Sequence, residues 1–329
     1  PIAILAYKMN SSDTVAVTSR SFCKNQYLIS KLKERYSKIL LNETGSTLQG
    51  DDLVRFLCSA DKAIIGIEAI SSKVLQQLPK LKVISKYGVG INNLDIDSLT
   101  SKGVKLGFTP GVNKQSVAEL ALTLTLLSLR KIHNNHTEIS KGIWSQEKGS
   151  ELFGKTVGLL GFGNIGQKFA SFLKPFDCKI IIFDEKIYSN KELSSIRQHL
   201  GLTPNQLYQE DLATVLNHSD ILSIHVPLLP ETKDMISKKE LSLLKTSISI
   251  INTARGGIVN ESDLHAFLSR NPDAFAAFDV FAEEPALDNP LFKLPNFFGT
   301  SHRSSLTHEG INAMGLAAIA GLDDNKIFN

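Results

Sequence analysis

Short apolar runs alternate with amphipathic stretches almost from end to end of the chain. This is the pattern that strands and helices make when parallel sheets are covered on both faces by helices. Runs too short for a helix and rich in Val, Ile and Phe mark the strands. In the first part they fall at residues 15–18, 38–42, 63–67, 82–85 and 105–108. A second, larger series follows at 156–161, 179–183, 221–225, 247–252, 274–278 and 296–299. Between the two series, SVAELALTLTLLSLRKIHN (residues 116–134) is apolar on nearly every side, which predicts one helix buried almost all round at a domain junction or a dimer interface. A second apolar stretch, at 309–322, is expected to cross back to the first series. The chain therefore reads as α/β with two parallel-sheet domains. The first is discontinuous, residues 1–104 with 301–329, and 105–300 form the second. Neither an internal repeat of 20–50 residues nor a low-complexity segment interrupts the pattern.

Length agrees with the two-series reading, since 329 residues exceed the roughly 150 typical of one domain. With 42% hydrophobic and 21% charged residues, the composition is that of an ordinary soluble globular protein. A net charge of +3, spread along the chain without blocks, argues against a nucleic-acid surface. The three cysteines, Cys23, Cys58 and Cys178, make no CxxC pair and read as reduced, mostly buried thiols, so no metal site is expected. The opening segment PIAILAYKMNSSD is too short to span a bilayer and lacks the basic flank of a signal peptide, so no membrane partner and a cytoplasmic location are expected. Pro1 in place of an initiator Met suggests a short stretch lost upstream.

The chemistry begins at Gly161-Phe162-Gly163-Asn164-Ile165-Gly166, which follows the apolar run 156–160 and opens a helix-like stretch. Gly161 permits a tight turn, Gly163 admits a pyrophosphate close to the backbone, and Gly166 allows close packing of helix on strand. The helix start supplies amide donors and partial positive charge. The next apolar run, KIIIF, ends in Asp184, at about the 20-residue spacing of an acid that accepts from the ribose hydroxyls of NAD and repels the 2′-phosphate of NADP. Glu185 would strengthen that preference and Lys186 would weaken it.

Downstream stand Asn252-Thr253-Ala254-Arg255-Gly256-Gly257, Asp279-Val280-Phe281-Ala282-Glu283-Glu284-Pro285 and Gly299-Thr300-Ser301-His302. Together with the glycine loop, and with Lys86-Tyr87-Gly88-Val89-Gly90, Ser116-Val117-Ala118-Glu119-Leu120 and His225-Val226-Pro227-Leu228, they resemble the D-isomer-specific 2-hydroxyacid dehydrogenases, of the phosphoglycerate dehydrogenase type. The resemblance covers nearly the whole chain and rests on the order and joint occurrence of the motifs. It implies two Rossmann-like domains, a flavodoxin-like substrate domain and an NAD-binding domain, and interconversion of a small 2-hydroxy acid and its 2-oxo acid in a homodimer. It also assigns roles. Arg255 would hold the substrate carboxylate and polarise the carbonyl, a task for a planar fork that stays charged. His302 would exchange a proton with the carbonyl oxygen. Glu284 would orient the imidazole from its other nitrogen, with Glu283 as the competing acid. Asn164 and Ile165 would meet the pyrophosphate, Val226 and Pro227 the adenine side, and Thr253, Ala254 and Asp279 the nicotinamide, whose carboxamide Asp279 would accept from; Thr232 would also belong to the cofactor site. Gly88, Val89 and Gly90 would bring backbone amides to the substrate. Lys86 stands where some relatives hold an anionic substrate tail, and it reads equally as a solvated lysine.

The chain departs from the family where Thr-Pro-His is usual and an apolar and small residues follow. Here Thr300-Ser301-His302-Arg303-Ser304-Ser305 loses the proline and adds a charge. No regulatory C-terminal domain of the kind some phosphoglycerate dehydrogenases carry is expected. Two other readings share the motifs in part. One is an NAD(H)-sensing co-repressor-like protein that keeps the same Arg, Glu and His without turnover. The other is an adenosylhomocysteinase-like hydrolase, whose lysine and cysteine chemistry has no counterpart here.

Overall fold

The structure is a computed structural model that describes residues 11–327. The reading of the first ten residues lies outside the described part. The chain forms two compact units, one made of residues up to 113 together with those from 306 onward, the other of residues 114–305.

The first unit is built on five strands, β1 (Ser11–Val17), β2 (Tyr36–Leu41), β3 (Lys62–Ile65), β4 (Val83–Lys86) and β5 (Lys105–Gly107). All pair in parallel in the order β2-β1-β3-β4-β5, the 2-1-3-4-5 order of flavodoxin-like sheets. Because β5 pairs with β4, Lys105, Leu106 and Gly107 belong to this sheet, beyond the boundary expected at residue 104. The apolar stretch near the end of the chain is the helix His308–Gly321, whose N-terminus is capped by the Thr307 hydroxyl accepting from Gly310 N. Met314, Ala318 and Ile319 join Val15, Val17, Phe22 and Leu28 in one core. Close approach needs small residues: a Cβ on Gly107 would stand 2.1 Å from the Gly321 carbonyl oxygen, and the Ser85 hydroxyl donates to Ala318 O at 2.6 Å.

Seven parallel strands form the second unit: β6 (Thr156–Leu160), β7 (Lys179–Phe183), β8 (Leu207–Gln209), β9 (Ile221–Ile224), β10 (Ser249–Asn252), β11 (Phe275–Phe278) and β12 (Phe297–Gly299). Their order, β12-β11-β10-β9-β6-β7-β8, is the Rossmann arrangement extended by one strand. The pattern of apolar runs misses β8, because three residues, Leu-Tyr-Gln, are too few to show a period. One core packs on each face, with Leu160, Leu222, Ile224, Ile250 and Phe278 on one side and Leu159, Ile180, Ile182, Ile221 and Ile251 on the other.

The single helix expected at 116–134 is two. Helix Lys114–Leu129 packs Ala118, Ala121 and Leu124 into the second of these cores. Lys131 then turns left-handed (φ 50°), and helix Ile132–Ser140 follows with no buried residue. Of the cysteines, Cys178 is buried, Cys23 is half-buried and Cys58 is exposed, so the expectation of mostly buried thiols fails at Cys58. Among the described residues no helix is long and apolar enough to cross a membrane, and no group of three or more His, Cys, Asp or Glu could hold a metal ion.

Gly107→Ala should lower stability by about 1–3 kcal/mol, the usual cost of overpacking a tight contact, because the obstacle is backbone that a rotamer change cannot move. A urea melt of the purified chain measures it, and an unchanged midpoint would contradict the close contact.

Candidate active site

The glycine loop joins β6 to the helix Asn164–Leu173. Gly161 has φ 91°, and a Cβ there would lie 2.8 Å from the backbone carbon of His225 and the nitrogen of Val226. A Cβ on Gly166 would lie 2.4 Å from Gly161 O. Both glycines are therefore required by packing within the protein. Gly163 is different: nothing lies within 4 Å of its added Cβ, and it stands as N-cap of the helix without a side-chain cap bond. No side chain caps the first amides of that helix. Asp184, directly after β7, accepts from Phe162 N at 2.5 Å with Oδ2 and from Lys186 N at 2.9 Å with Oδ1, so the acid is fastened to the glycine loop. The Tyr188 hydroxyl donates to Phe162 O at 3.3 Å.

The three expected chemistry residues come together in this same unit. His302 Nδ1 lies 2.8 Å from Glu284 Oε2, both side chains being partly exposed. The other carboxylate oxygen of Glu284 accepts from Phe281 N at 3.0 Å, which fixes the acid beneath the ring; the carboxylate bonded to the imidazole is that of Glu284. The half-buried Arg255 feels the Glu284 charge. Burial pulls the guanidinium below its ordinary value, and Glu284 pushes it back up. Its Nη1 donates to Ala254 O at 2.7 Å. Asn252, at the end of β10, shapes this loop by accepting from Ala254 N at 3.0 Å and donating to Arg255 O at 2.9 Å. That role is legible in the sequence only as an Asn closing a strand. Thr253 Oγ1 is buried and has no hydrogen-bond partner in the protein.

Two assigned residues are already engaged. The wholly buried Asp279 carboxylate accepts from Thr300 Oγ1 at 2.5 Å, Arg303 N at 2.8 Å and Ser304 N at 2.8 Å. The Thr232 hydroxyl donates to Pro227 O at 2.6 Å and accepts from Leu229 N at 2.8 Å, so it staples its own turn. Val226 at the end of that segment is half-buried and Pro227 exposed. Its neighbour His225 holds Ser223 Oγ at 2.9 Å through Nε2, and burial pushes the ring down to about 3, leaving it neutral.

In the first unit, Lys86 is buried and donates to Gly66 O, so it is not the solvated lysine the sequence left open. Gly88, at φ 122°, has nothing within 4 Å of its added Cβ, and Val89 and Gly90 beside it are half-buried.

Residues 122–304 match the model of the D-isomer specific 2-hydroxyacid dehydrogenase family, NAD binding domain. The chain belongs to this family. It is 34% identical over 276 residues to a D-3-phosphoglycerate dehydrogenase of Methanocaldococcus jannaschii, an alignment covering 83% of the chain and 51% of that protein. The chain thus spans about half the length of that relative. It is 31% identical over 299 residues to a hydroxypyruvate reductase of Thermotoga maritima, covering 88% and 94%. The crystal structure of D-lactate dehydrogenase with NAD+ from Lactobacillus jensenii superposes with a TM-score of 0.74 at 25% identity, covering 92% of this chain and 93% of that one.

The cofactor of this domain is NAD, and the residues present fit it. An uncapped helix start and a glycine facing open space suit a pyrophosphate. The unpartnered hydroxyl of Thr253 suits a polar ligand at the end of β10. Gly163→Ala should therefore leave the melting temperature within about 1 °C while raising the Kd for NADH by about tenfold, since a methyl there meets no protein atom. Gly166→Ala should instead destabilise the fold. Equal effects of the two on melting would contradict the distinction.

Proposed function

We propose that the chain is an NAD-dependent oxidoreductase that interconverts a D-2-hydroxy acid and its 2-oxo acid, with His302 as acid and base. The observation that carries this reading is the 2.8 Å bond from His302 Nδ1 to a carboxylate that is itself pinned by Phe281 N. An imidazole held at one nitrogen offers the other, Nε2, in a fixed direction to a substrate oxygen. Bound NAD supplies the hydride acceptor, and NADH the donor. Arg255 would bind the substrate carboxylate through its fork, and its half-buried setting strengthens that pairing relative to open water. In the oxidation direction His302 takes the hydroxyl proton; in reduction it returns one to the carbonyl oxygen. Val89 and Gly90 would add backbone amides for the substrate carboxylate, with Gly88 supplying the positive φ that lets the turn form. The buried Lys86 is bonded within its own unit, which favours a supporting role at this turn over a mobile grip on substrate.

Asp184 would accept from the ribose hydroxyls, and Asn164 and Ile165 would give their amides to the pyrophosphate. Val226 and Pro227 remain proposed for the adenine side and Ala254 for the nicotinamide side. A homodimer is part of the same reading. Of the stretch 116–134, expected to form its interface, Ala118, Ala121, Leu124 and Leu129 are buried in the second unit, while Leu120, Leu122, Leu126 and Leu127 stay half-buried. The segment after Leu129 leaves Ile132, Ile139, Ile143, Trp144 and Phe153 exposed, and these would extend the proposed interface.

In a screen of NADH oxidation over glyoxylate, hydroxypyruvate, pyruvate and phosphohydroxypyruvate, at least one acid should be reduced, and His302→Ala should lower kcat by about 10²–10⁴. Unchanged turnover in the variant would remove the proton role. Binding of NADH with no turnover of any acid would favour the co-repressor-like reading. Asp184→Ala should narrow the preference for NAD over NADP, and an unmoved ratio would take the acid off the ribose. Trp144 is the sole tryptophan and is 80% exposed, so its emission should shift to the blue as concentration rises if this surface pairs. A concentration-independent spectrum with a dimeric sedimentation coefficient would place the interface elsewhere.

A further inference from the structure

Glu284 is carried by a stretch with little packing of its own. Phe281 is buried against the rings of Phe292 and Phe297, at centroid distances of 5.3 and 6.3 Å, so the core fixes the chain up to that residue. From Ala282 to Asp288 every residue but the half-buried Ala286 is exposed, and the stretch borders an open cavity of about 850 Å³ lined also by Glu261, His265 and Leu291. With so few apolar contacts, the shape of this loop depends on polar bonds.

Glu261 supplies two of them. It is the first residue of the helix Glu261–Arg270, where an acid ordinarily serves its own helix start. Instead, one carboxylate oxygen accepts from Ala282 N at 2.6 Å and the other from Asn289 Nδ2 at 2.6 Å, at the two ends of the loop. Asn289 is fixed in turn, because its Oδ1 accepts from Leu291 N at 3.0 Å. Bonds to an ionised acceptor are roughly twice as strong as neutral ones. The peptide between Phe281 and Ala282 is thereby gripped from three sides. Glu284 takes Phe281 N, Glu261 takes Ala282 N, and Gly256, next to Arg255, lies so close that an added Cβ would fall on the Phe281 carbonyl and the Ala282 nitrogen. The loops of Arg255 and of Glu284 thus rest on one peptide, and Glu261 holds that peptide. We propose that Glu261 is a positioning residue, which sets Glu284 against His302 and Arg255 beside them by clamping the 282–289 loop. It acts through the loop backbone, without contact with substrate. The proposal rests on the roles read for Arg255 and His302.

The test is Glu261→Gln. The amide sets an NH2 against either Ala282 N–H or the Asn289 amide, and Asn289 cannot offer its oxygen there without giving up Leu291 N. In the variant, kcat for reduction of the 2-oxo acid should fall about fivefold or more and its KM rise about threefold or more, while the Kd for NADH stays within about twofold. The proton NMR resonance of the His302 ring N–H bonded to Glu284, assigned by its absence in His302→Ala, should be lost or weakened. In a Glu284→Gln background the same substitution should lower kcat by less than about twofold, because both act through one bond. A lower melting temperature with kcat, KM and the ring resonance unchanged would make Glu261 a brace for stability alone. That result, a Kd for NADH raised about tenfold, or fully additive losses would each overturn the proposal. Should Glu261→Gln fail to fold, Asn289→Asp keeps the oxygen that meets Leu291 N, removes the donor to Glu261 and should give the same pattern; no change there would equally overturn the clamp. If the wild type turns over no 2-oxo acid, the functional reading fails, and the ring resonance in Glu261→Gln still decides whether Glu261 sets Glu284.

Discussion

One unbroken row of residues crosses the seven-stranded sheet, and the chemistry hangs on it. Phe183, Leu160, Ile224, Asn252, Phe278 and Gly299 are successive partners on β7, β6, β9, β10, β11 and β12. Since the strands are all parallel, the residues that come next, Asp184, Gly161, His225, Thr253, Asp279 and Thr300, leave the sheet along a single edge. Backbone bonds continue one step past the row: Gly161 N to Phe183 O at 2.8 Å, His225 N to Leu160 O at 2.7 Å, Asp279 N to Asn252 O at 2.8 Å and Thr300 N to Phe278 O at 2.9 Å. A slip of one residue in any pair would turn that strand's side chains to the wrong face and carry its loop out of line. The apolar faces that fix the register therefore also fix where the functional loops begin.

Past that edge, the loops are held by polar side chains that turn back on their own backbone. Asp184 takes Phe162 N, Asn252 brackets Ala254 and Arg255, Glu284 takes Phe281 N, and Asp279 gathers the turn around His302. Hydrogen bonds to ionised acceptors are roughly twice as strong as neutral ones, so a short loop with little hydrophobic burial acquires a defined shape. On the reading that Arg255 and His302 meet a substrate, their place on such loops would leave little reorganisation to be done when it arrives, which is where preorganised electrostatics gains its effect.

Much of this was legible in the sequence, for reasons that differ by residue. Runs such as KIIIF and FAAF identify buried parallel strands because such strands are apolar on both faces. Gly161 and Gly166 are readable because only glycine tolerates the backbone contacts made there. Legibility fails where the cause is nonlocal or lies in the backbone. Nothing in Arg130-Lys131 announces a break, as neither Gly nor Pro is present, yet Lys131 ends the helix in a left-handed turn. The β8 strand is too short to carry a pattern. The engagement of Asp279 is invisible because two of its donors are amides of Arg303 and Ser304, groups that every residue but proline possesses. Lys86 looks like any lysine until its ammonium is found against Gly66 O.

Lys186 shows how such placement bears on cofactor choice. Two residues beyond Asp184, it stands where a cation would soften the repulsion of a 2′-phosphate. Its Nζ instead lies 2.8 Å from Glu192 and 4.7 Å from the centre of the Tyr188 ring, and Lys186 is the first cause holding the Glu192 carboxyl down at about 2. Glu192 is itself set by a capping box with Ser189 at the start of the next helix. An exposed pair of this kind adds little to stability, but it holds the ammonium at the helix start. With that charge matched locally and both oxygens of Asp184 tied to amides, a phosphate dianion at the ribose would face a carboxylate that cannot swing aside. On the reading that Asp184 faces the ribose, the preference for NAD comes from the rigidity of the acid as much as from its charge.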